Sequence, residues 1–350
     1  MTAPSFAFNT LVQPSSSVTQ NVPSGFDPNM TYLLASATSA AVQLYALGIT
    51  SLTPAMIGAL PLVGGAASYQ QTDTFYAPEA LGFGASSTTP GAYTQVTIGF
   101  AMQALDGSDN PLFTVIALRG TQTYQEWVND LTALPQSFAL VSGSGYVHAG
   151  FYAMYTTGPD GQTPSSGQRV TGSLAGQIYQ AVQATTWPNT VPLYITGHSL
   201  GAALAELCAM DLASNAKSSA KSFTMINLAP PRVSAGLILD GVTVFDPTEF
   251  MTSYQGAVPN SYAVVNAADL VPIMPPTLGT TSIQLAFNPV VTSGNTVMYC
   301  AQLGDIASNH ELTLNYLPYV QQLSGGFSAM ASKAARPRAA AVAASAPTAP

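Results

Sequence analysis

Apolar and polar positions change their period several times along the chain. Helical spacing recurs over about 31–47 (TYLLASATSAAVQLYAL), 168–185, 200–213 and about 309–322. Between these stretches lie short runs rich in β-branched and aromatic residues: YTQVTIGFA at 93–101, LFTVIAL at 112–118, LYIT at 193–196, SFTMINL at 222–228 and YAVVN at 262–266. Strands alternating with helices predict an α/β fold, a mostly parallel central sheet flanked by helices on both faces. In such sheets ligand sites gather at the carboxyl ends of the strands. Residues 1–29, rich in Pro, Ser, Thr and Asn, read as an amino-terminal arm, and the Ala/Pro-rich residues 326–350 as a flexible tail. The remainder, 30–325, shows no repeat and no clear linker and is expected to form a single domain.

Composition narrows the function classes. With 47% hydrophobic residues in 350, the chain can bury a full core. Only 7% of residues are charged, so surface polarity must come from hydroxyls, amides and backbone. A net charge of -8 argues against nucleic acid, which needs a basic patch. That low charge suits an extracellular or acidic setting, although MTAPSFAFNTLVQPSSSVTQ has no basic residue and does not read as a secretory signal. Tyr32–Leu47 is too short and too interrupted by polar residues to span a membrane. Cys208 and Cys300 do not make a disulfide framework and read as two buried thiols.

The stretch LYITGHSLGAALAELCAMDL, 193–212, carries the sharpest chemical signal. A bare G-x-S-x-G means little, because 29 Gly and 33 Ser would produce it by chance in roughly one such chain in four. Here it sits between a strand and a helix, the context in which a serine is raised on a tight turn. Gly197 and Gly201 then permit close strand–helix packing, and Ser199 becomes a candidate nucleophile. The helix start favours negative charge, with the Leu200 N–H as a natural oxyanion donor.

A serine hydroxyl needs a base, and the chain has 3 histidines. His198 neighbours Ser199 and is expected to point away from it. His148 precedes the serine strand and reads as structural. His310, in GDIASNHELTLNY, follows the serine and is the candidate base. An acid that orients it should fall between the two in chain order. Glu206 and Asp211 leave on the serine's own helix, the wrong element. Asp269 lies just beyond YAVVN, at a strand's carboxyl end, and is preferred. Asp246 is the runner-up, with a turn before Pro247 as its bland role.

A second oxyanion donor must come from another loop. Arg119-Gly120-Thr121 follows the 112–118 strand, and Thr123-x-x-Glu126 resembles a capping box opening a short helix. Thr121 is either the donor or only a turn residue. On the helix, Tyr124, Trp127, Val128 and Leu131 form an apolar stripe, which is either core or the inner face of a mobile lid.

Taken in order, ALRGTQTYQEWVNDL, VHAGFYAMY, LYITGHSLGAALAELCAMDL, NLAPPRV, AVVNAADLVPIMPP and the late His310 resemble the class 3, fungal-type lipase family of the α/β-hydrolase superfamily. The resemblance covers roughly 90–322. It implies an α/β-hydrolase fold with a short lid helix, a triad of Ser199, Asp269 and His310, and an oxyanion hole from Thr121 and Leu200. It also implies that Asp130 braces the Thr121 hydroxyl and that Tyr124, Trp127 and Val128 belong to the lid. The implied activity is hydrolysis of acylglycerols, at a lipid–water interface where the lid opens, with no metal and no cofactor. Short-chain or hydroxycinnamoyl esters and phospholipids remain alternative substrates. A non-catalytic lipid-binding protein would be expected to lack one of these groups, and all are present. The resemblance does not account for residues 1–90, nor for the scarcity of cysteine, and it leaves oligomeric state open.

Overall fold

The computed structural model describes residues 22–78, 94–120, 134–164, 167–184, 187, 190–215 and 223–334, with backbone alone beyond 325. A seven-stranded sheet organises them, running in the order Ser68–Pro78, Gln95–Leu105, Pro111–Leu118, Leu193–Gly197, Phe223–Leu228, Ser261–Asn266 and Thr296–Tyr299. Gln95–Leu105 pairs antiparallel with both neighbours, and every pairing from Pro111–Leu118 onward is parallel. This is the α/β-hydrolase arrangement expected from the sequence.

Both faces of the sheet are buried, which explains why its strands read as nearly continuous apolar runs. Along Pro111–Leu118, Ile116 and Leu118 join one core, while Phe113, Val115 and Ala117 join the other. The first core packs the sheet against helices Ala149–Thr156, Leu174–Gln183, Leu200–Asn215 and Glu249–Ala257. The second packs it against Pro28–Leu47 and the carboxy-terminal helix Leu317–Ala334, which also touch each other.

Local capping sets the element ends. The first helix begins at Pro28 rather than 31, because the Asp27 carboxylate accepts the Asn29 and Met30 amides and Pro28 suits the first turn. It ends at Gly48, in the left-handed region at φ 63°. The helix expected over 168–185 spans only Leu174–Gln183 under a Ser173 cap, and Arg169 before it bonds Asp211 instead. The helix expected at about 309–322 is split. Asp305 caps a short helix Ile306–His310, a π turn covers Leu312–Tyr316, and the regular helix then continues to Ala334.

Several elements had no counterpart in the pattern reading. Ser68–Pro78 is a bulged edge strand rich in polar residues. Pro135–Ser137, Tyr146–His148, Ser234–Leu239, Val242–Phe245, Leu278–Gly279 and Ile283–Asn288 build a second, antiparallel sheet. The cysteine expectation needs one correction. Cys208 is buried in the serine helix, but Cys300 is exposed, because it follows the outermost strand of the main sheet. No helix among the described residues is long and apolar enough to cross a membrane.

Candidate active site

Ser199 stands at the carboxyl end of Leu193–Gly197 with φ at 58°, a left-handed conformation uncommon for a residue with a side chain. Such strain persists only where its surroundings enforce it. The Ser199 amide donates to Leu228 O at 3.1 Å, tying the turn to the neighbouring strand. A Cβ on Gly197 would run into the Gly201 carbonyl, and one on Gly201 would lie 2.5 Å from Arg119 O. Both glycines are therefore imposed by close approach of backbone. The helix begins at Leu200, where the Gly201, Ala202 and Ala203 amides donate to the His198 and Ser199 carbonyls. The Leu200 N–H makes no such bond among the described residues.

His310, the last residue of the short helix Ile306–His310, meets Asp269, just beyond the strand Ser261–Asn266. His310 Nδ1 donates to Asp269 Oδ2 at 2.8 Å, and both residues are buried. Asp269 is held on its other oxygen by the Val271 amide at 2.9 Å. The Tyr316 hydroxyl donates to Asp269 Oδ2 at 2.7 Å while accepting the Asn266 amide at 3.1 Å. Burial, and then the adjacent Asp269 charge, push the Tyr316 phenol well above its usual range, so it stays a donor.

His198 does more than turn away from the serine. Its ring stacks on the His310 ring with centroids 4.6 Å apart and planes 28° apart, and its Nε2 bonds the His310 carbonyl at 2.8 Å. Burial, followed by the nearby His310, holds its pKa well below the ordinary value, which keeps it neutral. The residue beside Ser199 thus grips the backbone at His310.

Asparagines complete that grip. Asn266 Nδ2 donates to Ala301 O and Asn309 O, and its Oδ1 accepts the Ala301 and Ala268 amides. Asn309 accepts the Leu303 amide, Asn315 donates to Asn309 O, and the Tyr299 hydroxyl donates to Asn315. Buried amides of this kind are hydrogen-bonded or they destabilise a fold. Neither this network nor Tyr316 was anticipated. The signal was three asparagines flanking the candidate acid and base, which composition had counted as surface polarity.

The other candidates fall where their local chemistry puts them. His148 is buried, its pKa lowered to about 4 by burial; its Nδ1 accepts the Gly150 amide and its ring stacks on Phe151. Asp246 sits on an open hollow of the second sheet and uses its carboxylate on the Thr248 amide and hydroxyl, which also lower its pKa. Asp211 bonds Arg169, Tyr155 and Asn215. Thr121, Tyr124, Trp127, Val128 and Asp130, with the lid expected there, lie outside the described residues. No cluster of His, Cys, Asp or Glu among the described residues is arranged to hold a metal ion.

The fold is that of the α/β hydrolases, with Ser199 on a strained elbow. Residues 115–279 match the family model described as Lipase (class 3). That match spans just under half of the chain and supports a place in the class 3 lipase family. A protein named Phospholipase A1-II 3 from Oryza sativa subsp. japonica is 32% identical over 174 residues, 46% of this chain and 38% of that protein. The lipase of Rhizomucor miehei is 29% identical over 179 residues, 50% of this chain and 40% of the relative. The chain spans about two fifths of the length of these curated relatives. Among solved structures, the lipase from Rhizopus microsporus var. chinensis is 18% identical with a TM-score of 0.47, covering 78% of this chain and 83% of that one.

Proposed function

We propose that the chain is a serine carboxylic-ester hydrolase whose substrates are lipid esters, with triacylglycerol as the leading class. The observation that carries this reading is the buried His310–Asp269 pair at 2.8 Å, joined through His198 to a serine on a left-handed elbow. In this reading Ser199 Oγ attacks the ester carbonyl while His310 Nε2 takes its proton, and Asp269 fixes the tautomer and steadies the imidazolium. The Leu200 N–H and Thr121 hold the oxyanion, with Asp130 bracing the threonine hydroxyl. His310 returns the proton to the departing alkoxide, which frees the alcohol and leaves an acyl-Ser199. A water molecule deprotonated by His310 then attacks the acyl carbonyl and releases the fatty acid. No metal or cofactor takes part.

The same reading treats residues 30–325 as one hydrolase domain and the segment from Thr121 as a lid, with Tyr124, Trp127 and Val128 on its apolar face. A second substrate class is phospholipid, favoured by the rice relatives whose names are Phospholipase A1-II. Both classes are tested by p-nitrophenyl esters of increasing chain length, then triacylglycerol and phosphatidylcholine, given to the native chain and Ser199→Ala. The variant is expected to lose about 10⁶ in turnover. Full activity in the variant would overturn the mechanism, and activity restricted to the shortest esters would overturn the lipid substrate.

A further inference from the structure

The second, antiparallel sheet carries an apolar face that the catalytic pair does not use. Ile283 pairs with Leu239, and Leu239 with Val242, so three side chains from three strands stand in one row on one face. They are 56%, 38% and 66% exposed. An Asp240-Gly241 turn, with φ at 47° and 79°, brings Leu239 and Val242 together at the tip of their hairpin. The next row inward joins Leu285, Leu237 and Phe245, and the third joins Phe287 to Ala235, both buried. Alternation puts Ser234, Gly236 and Asn288 on the other face. There the Ser234 hydroxyl and Asn288 Nδ2 both donate to the Pro247 carbonyl, at 2.7 and 3.0 Å, and a Cβ on Gly236 would lie 2.5 Å from Pro247 N. One face is thus packed on the chain at Pro247, and the apolar one runs from a buried root to an exposed edge. Single exposed apolar residues are ordinary, whereas a cross-strand row continuous with a buried cluster marks a surface that meets something.

Charge and size narrow what it meets. Residues 233–332 contain no Lys or Arg, while Asp240, Asp246 and Glu249 lie in or just beyond the hairpin. With a net charge of -8 as well, the row is unsuited to an anionic surface. Three exposed side chains also fall far short of the roughly 20–30 residues a side that a stable protein partner covers. A fluid apolar phase asks for no such complementarity. The strands also spring from the candidate site. Ser234–Leu239 follows Leu228, whose carbonyl holds the Ser199 amide, and Leu278–Gly279 and Ile283–Asn288 follow the turn after Asp269. The Arg232 amide donates to Met274 O at 2.7 Å, joining those two connections.

We propose that the row Ile283, Leu239 and Val242 is a docking surface for a lipid phase without net charge: it enters the acyl layer and holds the chain on the surface of its substrate. The proposal rests on the lipid-ester reading above and is separate from the lid expected near Thr121. A fully buried aliphatic side chain is worth about 10- to 100-fold in partitioning. These three are already partly covered, so together they contribute about 10²-fold to binding.

The test uses the full chain as native protein, as the triple variant Leu239→Thr, Val242→Thr, Ile283→Thr, and as Ser199→Ala. Threonine keeps strand propensity while removing apolar surface. Leu47→Thr, at the exposed end of the first helix, is the control. Flotation with triolein droplets coated in phosphatidylcholine reads binding without turnover. The triple variant should bind about 10²-fold more weakly, the control as native does, and replacing half of the phosphatidylcholine by phosphatidylglycerol should weaken native binding. Hydrolysis of dissolved p-nitrophenyl acetate should be unchanged in the triple variant, while its rate on droplets falls and recovers as droplet concentration rises. Native-like flotation of the triple variant, or a native chain that does not float, overturns the proposal. Native binding that strengthens on the anionic droplets overturns it too. So does a native dimer in sedimentation that the triple variant splits, which would assign the row to a second copy. If the triple variant does not fold, Val242→Thr decides alone, with a loss of about 5-fold expected. Activity in Ser199→Ala would instead overturn the hydrolase reading and leave the flotation result standing, which separates the two failures.

Discussion

Glu206 sits one turn and a half into the serine helix, 1% exposed, with its Oε2 making no hydrogen bond and Oε1 meeting Asn227 Nδ2 at 3.5 Å. Asn227 Oδ1 is likewise buried without a donor, while its Nδ2 supports the Ala202 carbonyl at the start of the helix. A proton on Oε2 converts one of these two orphan acceptors into the donor that both lack. Burial pushes the Glu206 carboxyl well above the usual carboxylate range, against only a weak lowering by Asn227. Tyr254, which feels the Glu206 charge, is itself buried and pushed upward, so it remains neutral. Because the folded pKa is raised, the native chain keeps its full stability below the unfolded pKa near 4.5 and loses it as pH rises toward the folded value. Each pH unit inside that window is worth about 1.4 kcal/mol. Glu206→Gln does not titrate, so its stability relative to native should climb as pH rises from about 5. Urea midpoints at pH 5, 6, 7 and 8 read the slope, and infrared spectra should show a protonated carboxyl band that vanishes in the variant. A native-to-variant difference that stays flat across this range would mean an ionised Glu206 and would refute the reasoning.

Two further substitutions probe the frame around the site. Arg169→Met leaves the buried Asp211 without its cation and should destabilise by about 3 kcal/mol or more; adding Asp211→Leu should recover much of the loss in urea unfolding, and a double variant weaker than the single would contradict this. Tyr316→Phe removes the donor to Asp269 and strands the Asn266 amide, so it should lower stability by about 2 kcal/mol, and an unchanged thermal midpoint would show that the hydroxyl is not holding the acid's loop.

How much of this was legible depends on the range of the interaction. The five predicted strands and the serine elbow came from local pattern, because burial on both faces of the sheet writes itself into contiguous apolar runs. Ser199, His310 and Asp269 were chosen from motif context and chain order, and the structure brings the last two within 2.8 Å. The helix ends at Pro28 and Ile306 were misplaced by about three residues, because Asp27 and Asp305 cap them and caps carry no periodic signal. The second sheet stayed invisible because its strands are short and pair across long separations, as Ser234 with Asn288 does. Tyr316 and Asn266 escaped for the same reason. Their role lies in a contact 50 residues apart, and nothing local distinguishes a bonded buried amide from a solvated one.

The pairing of the first helix with the last has a consequence for synthesis. Pro28–Leu47 is made about 270 residues before Leu317–Ala334, so the face it turns toward that helix has no partner until the later one emerges. At translation rates of about 5–20 residues per second, that face waits roughly fifteen to fifty seconds. His310 and Tyr316 emerge just ahead of that helix, so the Ser199 elbow is complete well before the residues proposed to act with it. A ribosome-bound chain therefore holds the serine elbow and an uncovered apolar helix together, and both are completed only when the segment from His310 to Ala334 emerges.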